Sequence, residues 1–248
     1  MGWTNLMVIR RSGKGAPLVC VQCDAGNRLL PRYLQQDRPA FAFKHQGDDG
    51  KRIALKTVPA IAAHYLDELR EAQPSGPYIL CGYSFGGIVA YEMAQQLSAA
   101  GERVPLLAII DSYAPSLHSE AMREGRRLHT LLKDAVMRRI VEDRLAKGLP
   151  LSGKLRHFHI IDTYSKAVTA YRPLPFAGHL AVLRSADGWG RVDLGWKPLA
   201  AGGFSLHLVP GDHYDLVKEP NVRRLAGYLG ECIAAAEDLP PSAVPSRS

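Results

Sequence analysis

Short apolar runs alternate with stretches of helical period along most of the chain. Residues 18–22, 40–44, 77–82 and 104–110 are brief, nearly continuous apolar runs, the pattern of strands buried on both faces of a parallel sheet. Between them, residues 58–73 set Ile61, Ala62, Tyr65, Leu66 and Leu69 near helical spacing and stop before Pro74, which cannot continue a helix. Residues 87–100 predict a second helix, closed by Gly101. After Ile110 the pattern changes: residues 115–171 hold no convincing strand, with one charged helical stretch at 119–148 and another at 155–171. Strands resume at 178–184 and 204–209, and 221–237 reads as a last amphipathic helix. This alternation predicts an α/β fold, a mostly parallel central sheet flanked by helices and interrupted by a helical insertion. One domain over residues 1–238 is expected, with 239–248, rich in Pro and Ser, as a disordered tail.

Composition narrows the picture a little. A chain of 248 residues with 46% hydrophobic residues can bury a sizeable core in one domain. No apolar run approaches the length of a membrane span, and the N-terminus lacks a signal-peptide pattern, so the expectation is a cytoplasmic protein without a membrane partner. The 31 Lys and Arg against 24 Asp and Glu give +7, with local clusters at 123–127, 133–144 and 223–224. No nucleic-acid motif accompanies them, so the charge suits an acidic protein partner or plain solubility better than a nucleic acid. Four cysteines are too few and too scattered for a disulfide scaffold. Cys20 and Cys81 lie in apolar runs as buried thiols; Cys20 and Cys23 are spaced C-x-x-C, but no second such pair completes a zinc site.

The sharpest chemical signal is Gly82-Tyr83-Ser84-Phe85-Gly86-Gly87, a G-x-S-x-G motif between a predicted strand and a predicted helix. Such a turn strains the serine backbone, and small neighbours let strand and helix close around it. The hydroxyl is thereby lifted toward a helix N-terminus, whose dipole favours developing negative charge. A serine hydroxyl needs a base, and in this motif's folds the order along the chain is Ser, acid, His. His213, in Pro210-Gly211-Asp212-His213 after the last strand, fits best. His207 and His179 fall in strands, and His118, His129, His157 and His159 fall in the insertion, where solvated or structural roles suffice. For the acid, Asp111 and Asp187 both follow predicted strands, at the sheet edge where ligand sites of open α/β folds form. Periodicity alone does not choose between them.

Taken together, Gly82 to Gly87, Ile110-Asp111-Ser112 and Pro210 to Tyr214 resemble the thioesterase domains that terminate nonribosomal peptide and polyketide synthases, a family of the α/β-hydrolase superfamily. Gln73 to Tyr78 and Tyr171-Arg172-Pro173 extend the likeness, which covers residues 17–228. The resemblance implies Asp111 as the acid of a Ser84–His213–Asp111 triad. It implies a helical lid at about 115–171, and an oxyanion hole from the N–H groups of Phe85 and, by alignment on Gly26, Asp24. It implies no metal and no cofactor, the acyl group arriving on the phosphopantetheine arm of an acyl- or peptidyl-carrier protein. The acidity of such carriers makes Arg138 and Arg139 candidate docking contacts, though a solvated helix face accounts for them equally well. The family commonly reads His-Pro-x-Gly-Gly in the oxyanion loop, where this chain has Gln22-Cys23-Asp24-Ala25-Gly26. A carboxylate aimed at a developing oxyanion is unfavourable, so Asp24 is expected to turn toward solvent or to meet a polar group of the substrate.

The activity implied is release of a polyketide or peptide acyl chain through an acyl-Ser84 intermediate, by hydrolysis or cyclisation. A stand-alone proofreading thioesterase, an acyltransferase to an amine or alcohol, and a non-catalytic carrier-binding protein are the alternatives. The start at Met1 with no carrier domain ahead of it suits the first; an intact Ser84, Asp111 and His213 argue against the last.

Overall fold

A computed structural model of the chain describes residues 5–34, 36–117, 128–188 and 190–238, with the backbone alone over 128–132. Seven strands form one sheet in the order β1-β3-β2-β4-β5-β6-β7. They are β1 (Leu6–Arg10), β2 (Leu18–Val21), β3 (Ala40–Phe43), β4 (Ile79–Tyr83), β5 (Leu106–Ile110), β6 (His179–Ser185) and β7 (Phe204–Val209). β1 pairs antiparallel with β3 at one edge, and every other pairing is parallel. The helices are α1 (Gly26–Tyr33), α2 (Val58–Ala72), α3 (Phe85–Ala99), α4 (Leu128–Ala146), α5 (Gly153–Ala170) and α6 (Asn221–Asp238).

The inner strands were legible because both their faces are covered. Val19, Val21, Leu80, Leu107 and Ile109 face a core built with α2 and α3, while Leu18, Cys20, Ile79, Cys81 and Ile110 face one built with α1 and α6. All four residues of β2 and all five of β4 and β5 are buried, so the runs read as unbroken apolar stretches rather than alternating ones. β1 escapes that logic. It is an edge strand whose residues are half-buried or exposed, set among basic residues. The short α1 also left no periodic signature, because it runs for 8 residues with Pro31 inside it. α2 begins where the Thr57 hydroxyl accepts the Ala60 N–H at 3.3 Å, an N-cap, and ends before Pro74.

Between β5 and β6 lies the expected helical insertion, carrying α4 and α5. Arg138 on α4 meets Asp162 on α5 at 2.9 Å, and Lys166 reaches the same carboxylate. The insertion is tied to the body where the Leu151 N–H donates to the Gly50 carbonyl at 2.7 Å, and where the Tyr164 hydroxyl accepts the Gln46 N–H at 2.9 Å. The basic cluster at 123–127, His118, Trp189, the side chain of His129 and the Pro- and Ser-rich tail at 239–248 lie outside the described residues. Among the described residues, no helix is long and apolar enough to cross a membrane.

Three glycines set the geometry beneath the G-x-S-x-G turn. A Cβ on Gly82 would stand 2.2 Å from the Gly86 carbonyl oxygen, one on Gly86 2.1 Å from the Val21 oxygen, and one on Gly87 2.8 Å from the Ser112 Cβ. Backbone blocks the first two, so no side-chain rotation relieves them. Gly86→Ala is therefore expected to cost more than about 3 kcal/mol in urea unfolding. Gly101→Ala, at φ +78° with nothing within 4 Å, should cost only about 1–2 kcal/mol. A Gly86→Ala protein as stable as Gly101→Ala would contradict the close approach.

Candidate active site

The C-terminal ends of β2, β4 and β5 share one property. Gln22 (φ 53°), Asp24 (φ 48°), Ser84 (φ 53°) and Asp111 (φ 44°) all adopt left-handed backbone conformations, and Leu194 is the one other non-glycine residue that does so among the described residues. Such conformations cost about 1–3 kcal/mol each and cluster where geometry is functional. Ser84, with ψ −125°, sits between the last residue of β4 and the first of α3. Its N–H donates to the Ile110 carbonyl at 3.0 Å, fixing the turn to the end of β5.

Asp111 follows β5 directly and is almost wholly buried. Its Oδ2 lies 2.8 Å from His213 Nδ1. A carboxylate can only accept there, which places the proton on Nδ1 and leaves Nε2 free to accept one. Asp111 Oδ1 accepts the Ser185 N–H and hydroxyl, both at 2.9 Å. Burial works to raise the Asp111 carboxyl, but the hydrogen bonds from His213 and Ser185 outweigh it and hold the group below the ordinary carboxylate value. Asp187, the other candidate acid, is exposed beyond the end of β6. Ser185 went unremarked in the sequence: it ends an apolar strand, and nothing short of the sheet register reveals that it faces Asp111.

The loop after β2 is pinned from several sides. The Gln22 N–H donates to Phe43 O at 2.9 Å, and the Cys23 N–H to the Asn27 side chain at 3.0 Å. The buried Gln22 amide donates to the Tyr65 hydroxyl, which donates in turn to the Lys44 carbonyl. Asp24 turns its carboxylate outward, 58% exposed, with His45 Nε2 at 3.4 Å. A cavity of ≈ 290 Å³ opens beside it, lined by Asp24, Arg28, Lys44, His45 and Asp48 among others. The Phe85 ring stacks on Tyr164 of α5 with centroids 4.0 Å apart, so the insertion lies against the residue that follows Ser84.

Other expected residues fall elsewhere. His207 meets the Cys232 thiol and His179 meets Ser205, both within the body of the fold. Trp196 is fully buried, its Nε1–H donating to the Ser112 carbonyl. Cys20 and Cys23 are joined by Cys81, three buried sulfurs within 4.8 Å of one another, a grouping the linear spacing concealed because β4 supplies the third. Among the described residues this is one ligand short of a closed zinc site. Hydrogen bonding within the cluster raises Cys20 and Cys81 and burial raises Cys23, which keeps the thiols protonated. Arg138, a candidate docking residue, is engaged by Asp162, while Arg139 is exposed.

A sequence model described as the thioesterase domain matches residues 28–231 of the chain. Vanchrobactin synthetase VabF of Vibrio anguillarum is 28% identical over 238 residues, which is 90% of this chain and 8% of that synthetase. Among solved structures, a four-domain nonribosomal peptide synthetase bound to AMP and glycine aligns with a TM-score of 0.68 and 25% identity, over 96% of this chain and 20% of that one. The NocB thioesterase domain from the nocardicin cluster aligns with a TM-score of 0.65 and 23% identity, over 93% of this chain and 99% of that one. The chain thus spans a small part of the multidomain synthetases it matches and nearly the whole of an isolated thioesterase domain, whose α/β-hydrolase fold it shares.

The Asp111 environment sets an acid limit on stability. A carboxyl held below its unfolded value of about 3.9 contributes stability above that pH and loses it as pH falls through the folded value. Ser185→Ala removes the hydroxyl donor but keeps the N–H. The folded carboxyl then moves up, its stabilising contribution shrinks, and acid unfolding followed by circular dichroism should begin at higher pH. An unchanged acid midpoint would contradict the part given to the Ser185 hydroxyl.

Proposed function

This chain belongs to the thioesterase domain family, and we propose that it releases a polyketide or peptide acyl chain from the phosphopantetheine thioester of a carrier protein through an acyl-Ser84 intermediate. His213 Nε2 takes the Ser84 proton as the hydroxyl oxygen attacks the thioester carbonyl. Negative charge gathers on the carbonyl oxygen, and the N–H groups of Phe85 and Asp24 receive it, aided by the N-terminus of α3. The tetrahedral adduct collapses, the carbon–sulfur bond breaks, and His213 returns its proton to the departing thiolate. Water, or a hydroxyl or amine of the acyl chain itself, then gives up a proton to His213 and attacks the acyl-serine ester; the ester C–O bond breaks and His213 passes that proton to the departing Ser84 oxygen, restoring the free serine. Asp111 holds the imidazole in the useful tautomer and stabilises its cation.

The observation that carries this reading is the 2.8 Å contact between His213 Nδ1 and Asp111, a buried carboxylate itself anchored by Ser185. A protein that merely binds a carrier has no use for it, nor for a strained serine next in the sheet. The insertion, stacked on Phe85 through Tyr164, is suited to cover the acyl group and govern the access of water.

Incubation with a panel of acyl-pantetheine thioesters should release free thiol in the wild type and none above background in Ser84→Ala, with the product mass separating hydrolysis from cyclisation or transfer. Equal release by both proteins would overturn the reading. Asp24 is assigned through its backbone, so removal of the side-chain charge should leave turnover within about threefold, far from the hundred- to thousandfold loss of a missing oxyanion donor. Asp24→Asn is the suitable variant, because asparagine tolerates the left-handed backbone there. A loss of a hundredfold or more would make the carboxylate itself a participant.

A further inference from the structure

Tyr83, directly before Ser84 in the chain, makes two contacts with the residue proposed as base. Its hydroxyl donates to the His213 backbone carbonyl at 2.6 Å, and its ring stacks on the imidazole with centroids 4.9 Å apart and planes 24° apart. We propose that Tyr83 is a positioning residue that sets the His213 imidazole relative to Ser84. The proposal rests on the thioesterase reading only for its substrate; the serine chemistry it concerns is independent of the acyl group.

His213 lies on the loop after β7, and the described contacts that place it are few. Locally, Asp212 accepts the N–H groups of Tyr214 and Asp215 and shapes the turn. Asp111 fixes Nδ1, which sets one end of the ring. Tyr214 meets the ring edge-on at 5.3 Å but is itself 72% exposed. Tyr83 supplies what these lack: an anchor for the loop's backbone and a flat wall against one face of the ring. The wall is rigid, since Tyr83 is only 5% exposed and belongs to the core shared by α1 and α6.

The path from nucleophile to base through Tyr83 is short. Its Cα is one peptide unit from that of Ser84, so movement of β4 carries the serine and the histidine's support together. The route through Asp111 passes from β4 to β5 before it reaches the ring. Burial, with Asp24 and Asp111 nearby, raises the phenol well above its ordinary value, which favours the protonated, donating hydroxyl. A misplacement of about 1 Å at a reacting group can cost a hundredfold in rate, far more than one neutral hydrogen bond contributes to stability.

The test is a double-mutant cycle of Tyr83→Phe and His213→Ala, read by the second-order rate of Ser84 labelling with a fluorophosphonate, per folded protein as counted by circular dichroism. Tyr83→Phe keeps the ring and loses the hydroxyl. It should slow labelling about tenfold in the wild-type background and change nothing further in His213→Ala, because a residue acting through the imidazole has no effect once the imidazole is gone. In thioester turnover the same loss should fall on kcat and leave KM in place. An equal loss in both backgrounds would mark Tyr83 as structural and overturn the proposal, as would no loss in either or a wild-type serine that does not label. A wild type that labels rapidly yet releases no thiol would instead overturn the thioesterase reading, with the Tyr83 comparison still decided by labelling.

Discussion

The contact of Gly86 with the Val21 carbonyl holds the first turn of α3 against the end of β2, with no room between them for a methyl group. Because they touch, the Phe85 N–H at the helix start and the loop from Gln22 to Asp24 belong to one small region. Gly82 is confined by the Gly86 backbone and Gly87 by the Ser112 side chain, so β4 and α3 close tightly on either side of Ser84, the residue at the turn. The backbone strain at Gln22, Asp24, Ser84 and Asp111 accompanies this arrangement, and the packed strands below bear it.

Electrostatics supply the second layer. A buried carboxylate costs free energy unless its lone pairs are engaged, and Asp111 engages both oxygens, one with Ser185 and one with His213. Those hydrogen bonds hold the carboxyl below its ordinary value despite burial, and as an acceptor it orients the Nδ1 side of the His213 ring. The side of the sheet beyond Asp24 differs in character: Asp24, Arg28, Lys44, His45 and Asp48 bring charges of both signs to the rim of a cavity also lined by Met7 and Ala25.

How much of this was legible follows from burial. The five inner strands could be read because both faces are covered, whereas β1 is half-exposed and α1 carries an internal proline, so both were missed. The seat of the serine was legible from three glycines and a strand-to-helix switch. The choice between Asp111 and Asp187 was not, because both end strands; the sequence favoured Asp111 only through family likeness, and the contact with His213 is a matter of register across β5, β6 and β7. Ser185, Tyr83 and the Cys81 partner of the C-x-x-C pair were invisible for the same reason, since each acts across the sheet. The pairing of Arg138 with Asp162 likewise needed the crossing of α4 and α5.

The account turns on a covalent acyl-serine. It is tested most directly by quenching the protein in acid during turnover of an acyl-pantetheine thioester and mapping its peptides by mass. The account predicts an added acyl mass on the peptide that carries Ser84, lost when His213 is replaced by alanine. Thiol release with no acyl adduct on that peptide, or an adduct on another residue, would contradict it.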